Sequence, residues 1–410
     1  MAPTWIGPAR QAVCEECGYR FLVDDATYSW EFPTRCRCCG GQCTVADRVI
    51  PGQTASIQAV ASPREIQRLD AIVFKTEGET QSTVKRVWGL PGESIELRSG
   101  ELWVGGHLFQ KDMQQLKAIC VNISHFPSDR VSHWEFKINS EPDGVVVPIE
   151  RVAKSITPHD PVTQAIRISA GHAIRYSHRI PAPIGQYSKM QSSRILDDYE
   201  INQGSSVALH SIDDFLVNAQ LKELPRDLTG LVRLHYRGFD YEMHLSSTID
   251  FVPPQAKKIS LDKHGALVLP PAREMAFATC DGRLLVSLAM ERGRQDWIVE
   301  LGGQTIAVDT RSKSREQLSP CPTAKLSATS PIEISVQRGQ LIVTQLAVAR
   351  DLWLGARHPR DDRWLAKEPI PSHHFWVLGD NLPISLDCRE RWAGGIPFHQ
   401  IHGRLLPPIR

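Results

Sequence analysis

The stretch that decides the fold covers residues 85–93 and reads K-R-V-W-G-L-P-G-E. It places a lysine on an apolar strand directly before a rigid Gly-Leu-Pro-Gly turn. Val84, Val87 and Trp88 give Lys85 apolar neighbours, and burial disfavours the charged form of a lysine amine. A neutral amine is a base, so Lys85 is a candidate general base. The alternative is a lysine on an edge strand whose amine reaches out to solvent.

The flanking sequence predicts a compact β unit built from two distant parts of the chain, residues 46–112 and 370–410. Ala71–Phe74 reads as a buried strand, residues 83–88 read as the next strand, and residues 95–104 read as a hairpin with a Ser-Gly turn. Near the other end, Phe375–Leu378 reads as a strand that we expect to join this unit.

Residues 113–195 give no clear pattern, and we treat them as an uncertain connecting region. From residue 196 to residue 355, short alternating strands are separated by Gly, Pro and Asp turns. Alternation of this kind predicts a β-sandwich of jelly-roll type inserted into the β unit. The predicted fold class is therefore mainly β.

Composition is compatible with this fold and selects no charged partner. The chain has 410 residues, 41% of them hydrophobic, with 28 Gly and 28 Pro. Its 47 Lys and Arg residues against 46 Asp and Glu give a net charge of +1, so overall charge favours neither nucleic acid nor an anionic membrane. No run of 18 apolar residues occurs, so the chain as written carries no membrane span.

Six of the ten cysteines lie in the first 43 residues. Cys14 and Cys17 form one C-x2-C pair, and Cys36 and Cys39 form a second. Two such pairs supply four thiolates to one tetrahedral Zn²⁺, so residues 11–45 are predicted to be a zinc ribbon with a structural metal. Cys38 and Cys43 are spare thiols that could replace a ligand. Chance clustering of cysteines is the alternative.

Residues 85–93 and residues 379–389, which read G-D-N-L-P-I-S-L-D-C-R, resemble two motifs of the type I signal peptidase (leader peptidase) family. The resemblance implies a Ser-Lys dyad, in which a lysine activates a serine nucleophile and no cofactor takes part in catalysis. Lys85 matches the general base. Ser385 matches the serine that orients the lysine amine.

The same resemblance gives the neighbouring residues supporting roles. Asp387 and Arg389 match an ion pair that stiffens the loop, and Gly379 and Asp380 shape the turn. Cys388 stands where the family commonly has serine, and Ala46 stands where it commonly has glycine.

In that family the nucleophile precedes a Met-x-Pro-Thr segment that follows a membrane helix. This chain opens with Met-Ala-Pro-Thr, so residues 1–10 are read as the remnant of the nucleophile motif. We expect the serine directly before Met1 and an apolar span before it. The implied substrates are signal peptides of exported preproteins, cut after small residues at the cell membrane.

The arrangement looks like that of large homologues from planctomycete-like bacteria, which carry a cysteine block and a long insert similar to a laminin-G or concanavalin-like sandwich. The peptidase resemblance covers about a quarter of the chain. An alternative is an inactive homologue whose ribbon and sandwich bind partners or glycans at the cell envelope. Nucleic-acid binding by the ribbon is a weaker alternative, because the charge is even and aromatic residues are sparse near the cysteines.

Overall fold

The fold is mainly β in the computed structural model, which has 31 strands and one short α-helix in the part of the chain that it describes. The described residues are 6–26, 28–31, 34–126, 133–138, 145–148, 165–182, 190–202, 209–223, 226–247, 260–261, 267–269, 271–290, 293–301, 317–318, 326–355 and 363–406. The predicted fold class is confirmed.

The elements are numbered along the chain. The first nine strands are β1 Ala9–Cys14, β2 Arg20–Asp24, β3 Cys43–Ile50, β4 Ile57–Gln58, β5 Ala71–Phe74, β6 Thr83–Gly89, β7 Ile95–Arg98, β8 Glu101–Val104 and β9 His107–Leu108. The helix α1 spans Met113–Ile119, and single 3-10 turns span Pro63–Glu65, Glu200–Asn202 and Phe398–Gln400.

The middle strands are β10 Val121–Phe126, β11 Trp134–Ile138, β12 Val145–Pro148, β13 Ile166–Ser169, β14 His172–Tyr176, β15 Arg179–Pro181, β16 Met190–Ser192, β17 Phe215–Leu221, β18 Thr229–Tyr236, β19 Phe239–Ser246, β20 Ser260–Leu261 and β21 Leu267–Leu269. The last strands are β22 Glu274–Cys280, β23 Arg283–Met290, β24 Gly293–Leu301, β25 Gln317–Leu318, β26 Ile332–Arg338, β27 Gln340–Arg350, β28 Arg363–Leu365, β29 His374–Leu378, β30 Ile396–Pro397 and β31 Ile401–Leu405.

A six-stranded sheet in the order β30-β29-β6-β5-β31-β4 forms the first unit, the core domain. It joins the two distant parts of the chain because β29 pairs antiparallel with β6, with Val377 opposite Val87 and Leu378 opposite Arg86. A four-stranded sheet in the order β28-β7-β8-β9 packs in the same hydrophobic cluster. The strands predicted at residues 71–74, 83–88, 95–104 and 375–378 are confirmed.

Two eight-stranded sheets share one large hydrophobic core and form the second unit, the sandwich. One sheet runs β10-β27-β17-β22-β23-β24-β25, with β13 also paired to β27, and the other runs β12-β11-β14-β26-β18-β19-β21-β20. Five of these strands, β10 to β14, come from the range 113–195 that sequence alone left as a connecting region. Three of them, β10, β13 and β14, pair with β26 or β27, which lie more than 150 residues away, and a local pattern does not show such pairing.

The third unit is the three-stranded sheet β2-β1-β3 that holds the cysteine-rich segment, the ribbon. Its small apolar cluster includes Phe21, Val23 and Val45 together with several cysteines. So few aliphatic side chains bury little area, and a unit of this size ordinarily needs a metal to stay folded.

A buried charge cluster joins the core domain to the sandwich. The amine of Lys111, which follows β9, lies 3.0 Å from a carboxylate oxygen of Asp281 and 3.0 Å from one of Asp351. All three side chains are almost fully buried. Burial lowers the pKa of Lys111, but the two aspartates outweigh that effect and raise the pKa well above the usual lysine range. Lys111 therefore stays charged and links the hairpin end of the core domain to the sandwich through both aspartates.

Candidate active site

Lys85 and Ser385 lie together although 300 residues separate them in the chain. The Nζ of Lys85 donates a hydrogen bond of 2.8 Å to the Oγ of Ser385. The sheet creates this contact: Lys85 stands on β6 opposite Ile72 of β5, and β29 on the other side of β6 delivers the turn that begins at Gly379. The two predicted site residues are thus neighbours in the fold.

The surroundings of Lys85 favour its neutral form. Desolvation by burial lowers the pKa of the Lys85 amine below the usual lysine range, and the positive charge of Arg389 acts in the same direction. Asp387 acts in the opposite direction and does not cancel the effect of burial. An amine in this environment, hydrogen-bonded to a hydroxyl, can accept a proton at a pH where an exposed lysine cannot.

Asp387 and Arg389 form a buried ion pair beneath the turn. The Nε of Arg389 donates to Asp387 at 2.9 Å, and the Asp387 carboxylate also accepts the backbone N–H of Gly379 at 3.2 Å. Two further hydrogen bonds of 2.8 Å run from Arg389 to the backbone oxygens of Gly355 and Leu382. The pair therefore ties both ends of the turn to the chain that leaves the sandwich.

Arg86 completes the site in a way that the sequence analysis missed. Its Nε and Nη2 donate to the two carboxylate oxygens of Asp380 at 2.8 and 2.6 Å, and its Nη1 donates to the backbone oxygen of Leu69 at 2.8 Å. Both side chains are buried. Asp380 was predicted only to shape the turn. The adjacency of Arg86 to Lys85 was visible in the sequence, but the partner of Arg86 could not be read without the pairing of β6 with β29.

Gly379 leaves room for the Lys85–Ser385 contact. A methyl group built on its Cα would lie 2.1 Å from the Oγ of Ser385 and 3.1 Å from the Nζ of Lys85. The first distance is too short for real atoms, and the second is a tight contact in which the amine would have to give way slightly. Any larger residue at position 379 would therefore push the serine or the lysine out of place.

Cys388 lies in the turn, at the position where the signal peptidase motif that residues 379–389 resemble commonly has serine. Its Sγ accepts the backbone N–H of Val377 at 3.2 Å. Burial raises the pKa of the Cys388 thiol to about 12. The thiol is thus neutral and fills a packing position, and the substitution removes none of the polar contacts made by Lys85 and Ser385.

A family model described as signal peptidase, peptidase S26, matches residues 20–136 of the chain. Over that range the chain resembles the signal peptidases. The match includes Lys85 and the Gly-Leu-Pro-Gly turn and ends long before Ser385, which the fold brings to the same place. It supports a hydrolase of the peptidase class. No match is found among curated proteins.

The four predicted ribbon cysteines converge on one point. The Sγ atoms of Cys14, Cys17, Cys36 and Cys39 all lie within 4.8 Å of one another, with Cys14 to Cys39 at 3.5 Å and Cys17 to Cys36 at 3.6 Å. A tetrahedral metal with bonds of about 2.3 Å to sulfur requires edges of about 3.8 Å. The four cysteines can therefore hold a metal ion of zinc type.

Each C-x2-C pair is followed by a glycine that closes a knuckle. The N–H of Gly18 donates to the oxygen of Cys14 at 3.0 Å, and the N–H of Gly40 donates to the oxygen of Cys36 at 2.8 Å. Both glycines have a positive φ, of 68° and 72°, which residues with a side chain rarely adopt. Burial raises the pKa of the Cys14 thiol, but backbone N–H groups of Cys17 and Glu16 outweigh it and lower the pKa to about 7.

Among the residues that the structure describes, no helix has the length and apolar character needed to cross a membrane. The remnant of the nucleophile motif was predicted at residues 1–10, and of these, residues 1–5 lie outside the described residues. Ile6, just after it, packs against the core domain, and its oxygen accepts the N–H of Gln53 at 2.9 Å.

Proposed function

We propose that this protein is a serine endopeptidase of the signal peptidase I kind, which removes signal peptides from exported preproteins with a Ser-Lys dyad. The observation that carries the proposal is the 2.8 Å hydrogen bond between Lys85 and Ser385 in a site where burial lowers the pKa of the lysine. The family match to residues 20–136 supports the same class of enzyme.

In the proposed reaction the nucleophile is a serine directly ahead of Met1, at the position that the signal peptidase resemblance gives it. Neutral Lys85 takes the proton from this hydroxyl while the oxygen attacks the scissile carbonyl. The tetrahedral adduct then collapses to an acyl-enzyme ester, and the new amino terminus leaves with a proton from Lys85. Water, deprotonated by Lys85, hydrolyses the ester and frees the serine.

Ser385 has the role of orienting the base in this scheme. Its hydroxyl accepts one N–H of the Lys85 amine and limits rotation about the last side-chain bonds, so the lone pair can point toward the nucleophile. Asp387, Arg389, Gly379 and Asp380 support the turn that carries Ser385. No metal takes part in these steps, and the proposed Zn²⁺ at the ribbon cysteines is structural.

The proposed substrates are signal peptides with small residues before the cut, presented at a membrane surface. In the proposed full-length protein, an apolar helix ahead of the nucleophile holds the enzyme at the cell membrane. The sandwich is then an accessory unit outside the catalytic steps.

The test begins with the DNA in frame before Met1, which should encode a serine and an apolar span. The protein expressed from that longer frame should cleave a preprotein in detergent micelles. We expect Lys85→Ala to lower kcat/KM by at least about 10³-fold, because the general base is lost. Lys75→Ala is the matched control, since Lys75 is exposed at the end of the neighbouring strand β5.

Two outcomes would contradict the proposal. A stop codon upstream without an encoded serine would favour the inactive, partner-binding homologue over an enzyme. Preprotein cleavage that persists undiminished in Lys85→Ala would show that another group acts as the base. The pH dependence adds a third check: because the pKa of Lys85 is lowered, the acid limb of kcat/KM should lie below the range of an ordinary lysine.

A further inference from the structure

A six-residue segment, Asp197–Asn202, crosses between the ribbon and the turn that carries Ser385, and we call it the strap. It enters from the strand β16 and ends in the 3-10 turn Glu200–Asn202. The strap belongs to neither motif of the signal peptidase resemblance. Its side chains contact the ribbon, the sandwich and the core domain at successive positions.

Two strap residues face the ribbon. Asp198 forms an ion pair with Arg37, which lies between the metal-ligating positions 36 and 39. Glu200 accepts a hydrogen bond from the hydroxyl of Tyr19, two residues beyond Cys17. Arg37 lies within the second C-x2-C pair, and Tyr19 lies just after the first. The position of the strap is therefore coupled to the shape that the four cysteines impose on the ribbon.

Two other strap residues face the candidate active site. The hydroxyl of Tyr199 donates to the backbone oxygen of Asp380 at 2.6 Å. The amides of Asn202 and Asn381 bond to each other in both directions, at 2.7 and 2.6 Å. The backbone oxygen of Asn381 in turn accepts the N–H of Ser385 at 3.0 Å. The strap thus holds Asp380 and Asn381, the two residues that follow Gly379 in the turn to Ser385.

The strap is also fixed from the sandwich side. The guanidinium of Arg350, at the end of β27, lies 4.6 Å from the ring centre of Tyr199 and donates to the backbone oxygen of Asp198 at 2.7 Å. Tyr199 is 5% exposed and Ile201 is 8% exposed, and both belong to the hydrophobic cluster of the core domain. Asp197, Tyr199 and Ile201 are thus buried, whereas Asp198, Glu200 and Asn202 are partly exposed. The buried side chains are close-packed, so the segment transmits a displacement instead of absorbing it.

We infer that the strap makes the Lys85–Ser385 pair depend on the metal-loaded ribbon, with Tyr199 and Asn202 as positioning residues that act through Asp380 and Asn381. The effect on catalysis rests on the proposed function, whereas the contacts of the strap do not depend on that function. When the ribbon loses its shape, the strap loosens, the turn shifts and water reaches the amine. A shift of about 1 Å in a catalytic group is enough to cost about 10²-fold in rate.

The test uses Tyr199→Phe and Asn202→Ala in the full-length protein, with Tyr236→Phe as the matched control. Tyr236 is also a buried tyrosine, and its hydroxyl accepts the N–H of Gly282 inside the sandwich, away from the strap contacts. The first readout is the titration of the Lys85 side chain, followed by NMR in lysine-labelled protein and assigned with Lys85→Ala. This readout requires no cleavage.

We expect the Lys85 titration to move upward in both strap variants and to stay in place in the control, because solvent entry favours the charged amine. On a preprotein, kcat should fall about tenfold with little change in KM, and the acid limb should move to higher pH. Removal of the metal with a chelator should move the Lys85 titration in the same direction. In the Tyr199→Phe, Asn202→Ala double variant the chelator should add little, since the link is already broken.

The outcomes separate the two proposals. Suppose that the full-length protein cleaves a preprotein, but Lys85 in the strap variants and in the chelated protein titrates as it does in the Tyr236→Phe control. This result would overturn the inference about the strap and leave the proposed peptidase function intact. If the Lys85 titration moves upward in the strap variants but the full-length protein cleaves no preprotein, the result would support the role of the strap and contradict the proposed peptidase function. If Asn202→Ala fails to fold, Tyr199→Phe and Arg37→Ala still test the inference. Tyr199→Phe removes a single hydroxyl group, and Arg37→Ala changes only the ribbon side of the strap contacts.

Discussion

At the scale of single residues, the candidate site is made by short contacts that tolerate little change. Lys85 and Ser385 are hydrogen-bonded at 2.8 Å, and Gly379 leaves the space that this contact occupies. Arg86 and Asp380, the next residues along the chain from Lys85 and Gly379, form an ion pair with two hydrogen bonds. A buried ion pair adds little net stability compared with apolar residues of the same shape. Its value here lies in fixing the direction in which the turn leaves β29.

Gly379→Ala tests this packing. The added methyl group would lie 2.1 Å from the Oγ of Ser385, so either the serine or the lysine must move. We expect a loss of about 10²-fold in kcat of the full-length enzyme, with the titration of Lys85 moved upward.

Gly394→Ala is the matched control, since a methyl group there meets no atom within 4 Å and φ is not positive. Equal activity of Gly379→Ala and the control would mean that the contact between Lys85 and Ser385 is not needed.

At the scale of elements, the ribbon is the unit least able to stand alone. Its strands β1 to β3 present few aliphatic side chains, while its two knuckles place four sulfurs at the spacing of a tetrahedral metal. Structural zinc contributes about 10–16 kcal/mol in units of this size, more than the apolar cluster supplies.

We predict that the purified protein contains one zinc per chain, measured by atomic absorption, and that Cys17→Ser reduces this content strongly. Cys38→Ser should keep the full content, because Cys38 lies outside the group of four converging sulfurs. Loss of zinc in Cys38→Ser but not in Cys17→Ser would reverse the ligand assignment.

At the scale of the whole molecule, polar contacts link the three units, and those of Lys111 are almost fully buried. Lys111 joins the core domain to the sandwich, and the strap joins both to the ribbon. Two histidines stack beside these contacts: His178 is buried, His133 is partly buried, and their ring centres are 5.7 Å apart. Burial lowers the pKa of His133 to about 4 and that of His178 to about 3.

The low pKa values of these two histidines lead us to predict that the stability of the fold decreases in acid. Their pKa values are lower in the folded state than in the unfolded state. Their contribution to the free energy of unfolding is therefore fully present above about pH 6.5 and is lost as the pH falls toward 4. At pH 5 the free energy of unfolding should be lower by about 1–2 kcal/mol for each histidine. Urea unfolding at pH 7 and pH 5 measures this difference.

His133→Gln should reduce the loss of stability between pH 7 and pH 5, because one proton-binding group is removed from the unfolded state. His399→Gln is the control at an exposed histidine. An unchanged pH dependence in His133→Gln would contradict the assignment of the buried neutral form.

The sequence by itself determined the local features: the lysine ahead of a Gly-Leu-Pro-Gly turn, the cysteine pairs with metal spacing, and the alternating strands of a mainly β chain. Each depends on residues that are close in sequence, where spacing fixes geometry. Only the tertiary structure decided that Arg86 binds Asp380, that β10 to β14 belong to the sandwich and that the strap contacts the turn to Ser385. Those contacts join residues tens to hundreds of positions apart, and a local pattern carries no information about which distant strand or side chain will complete it.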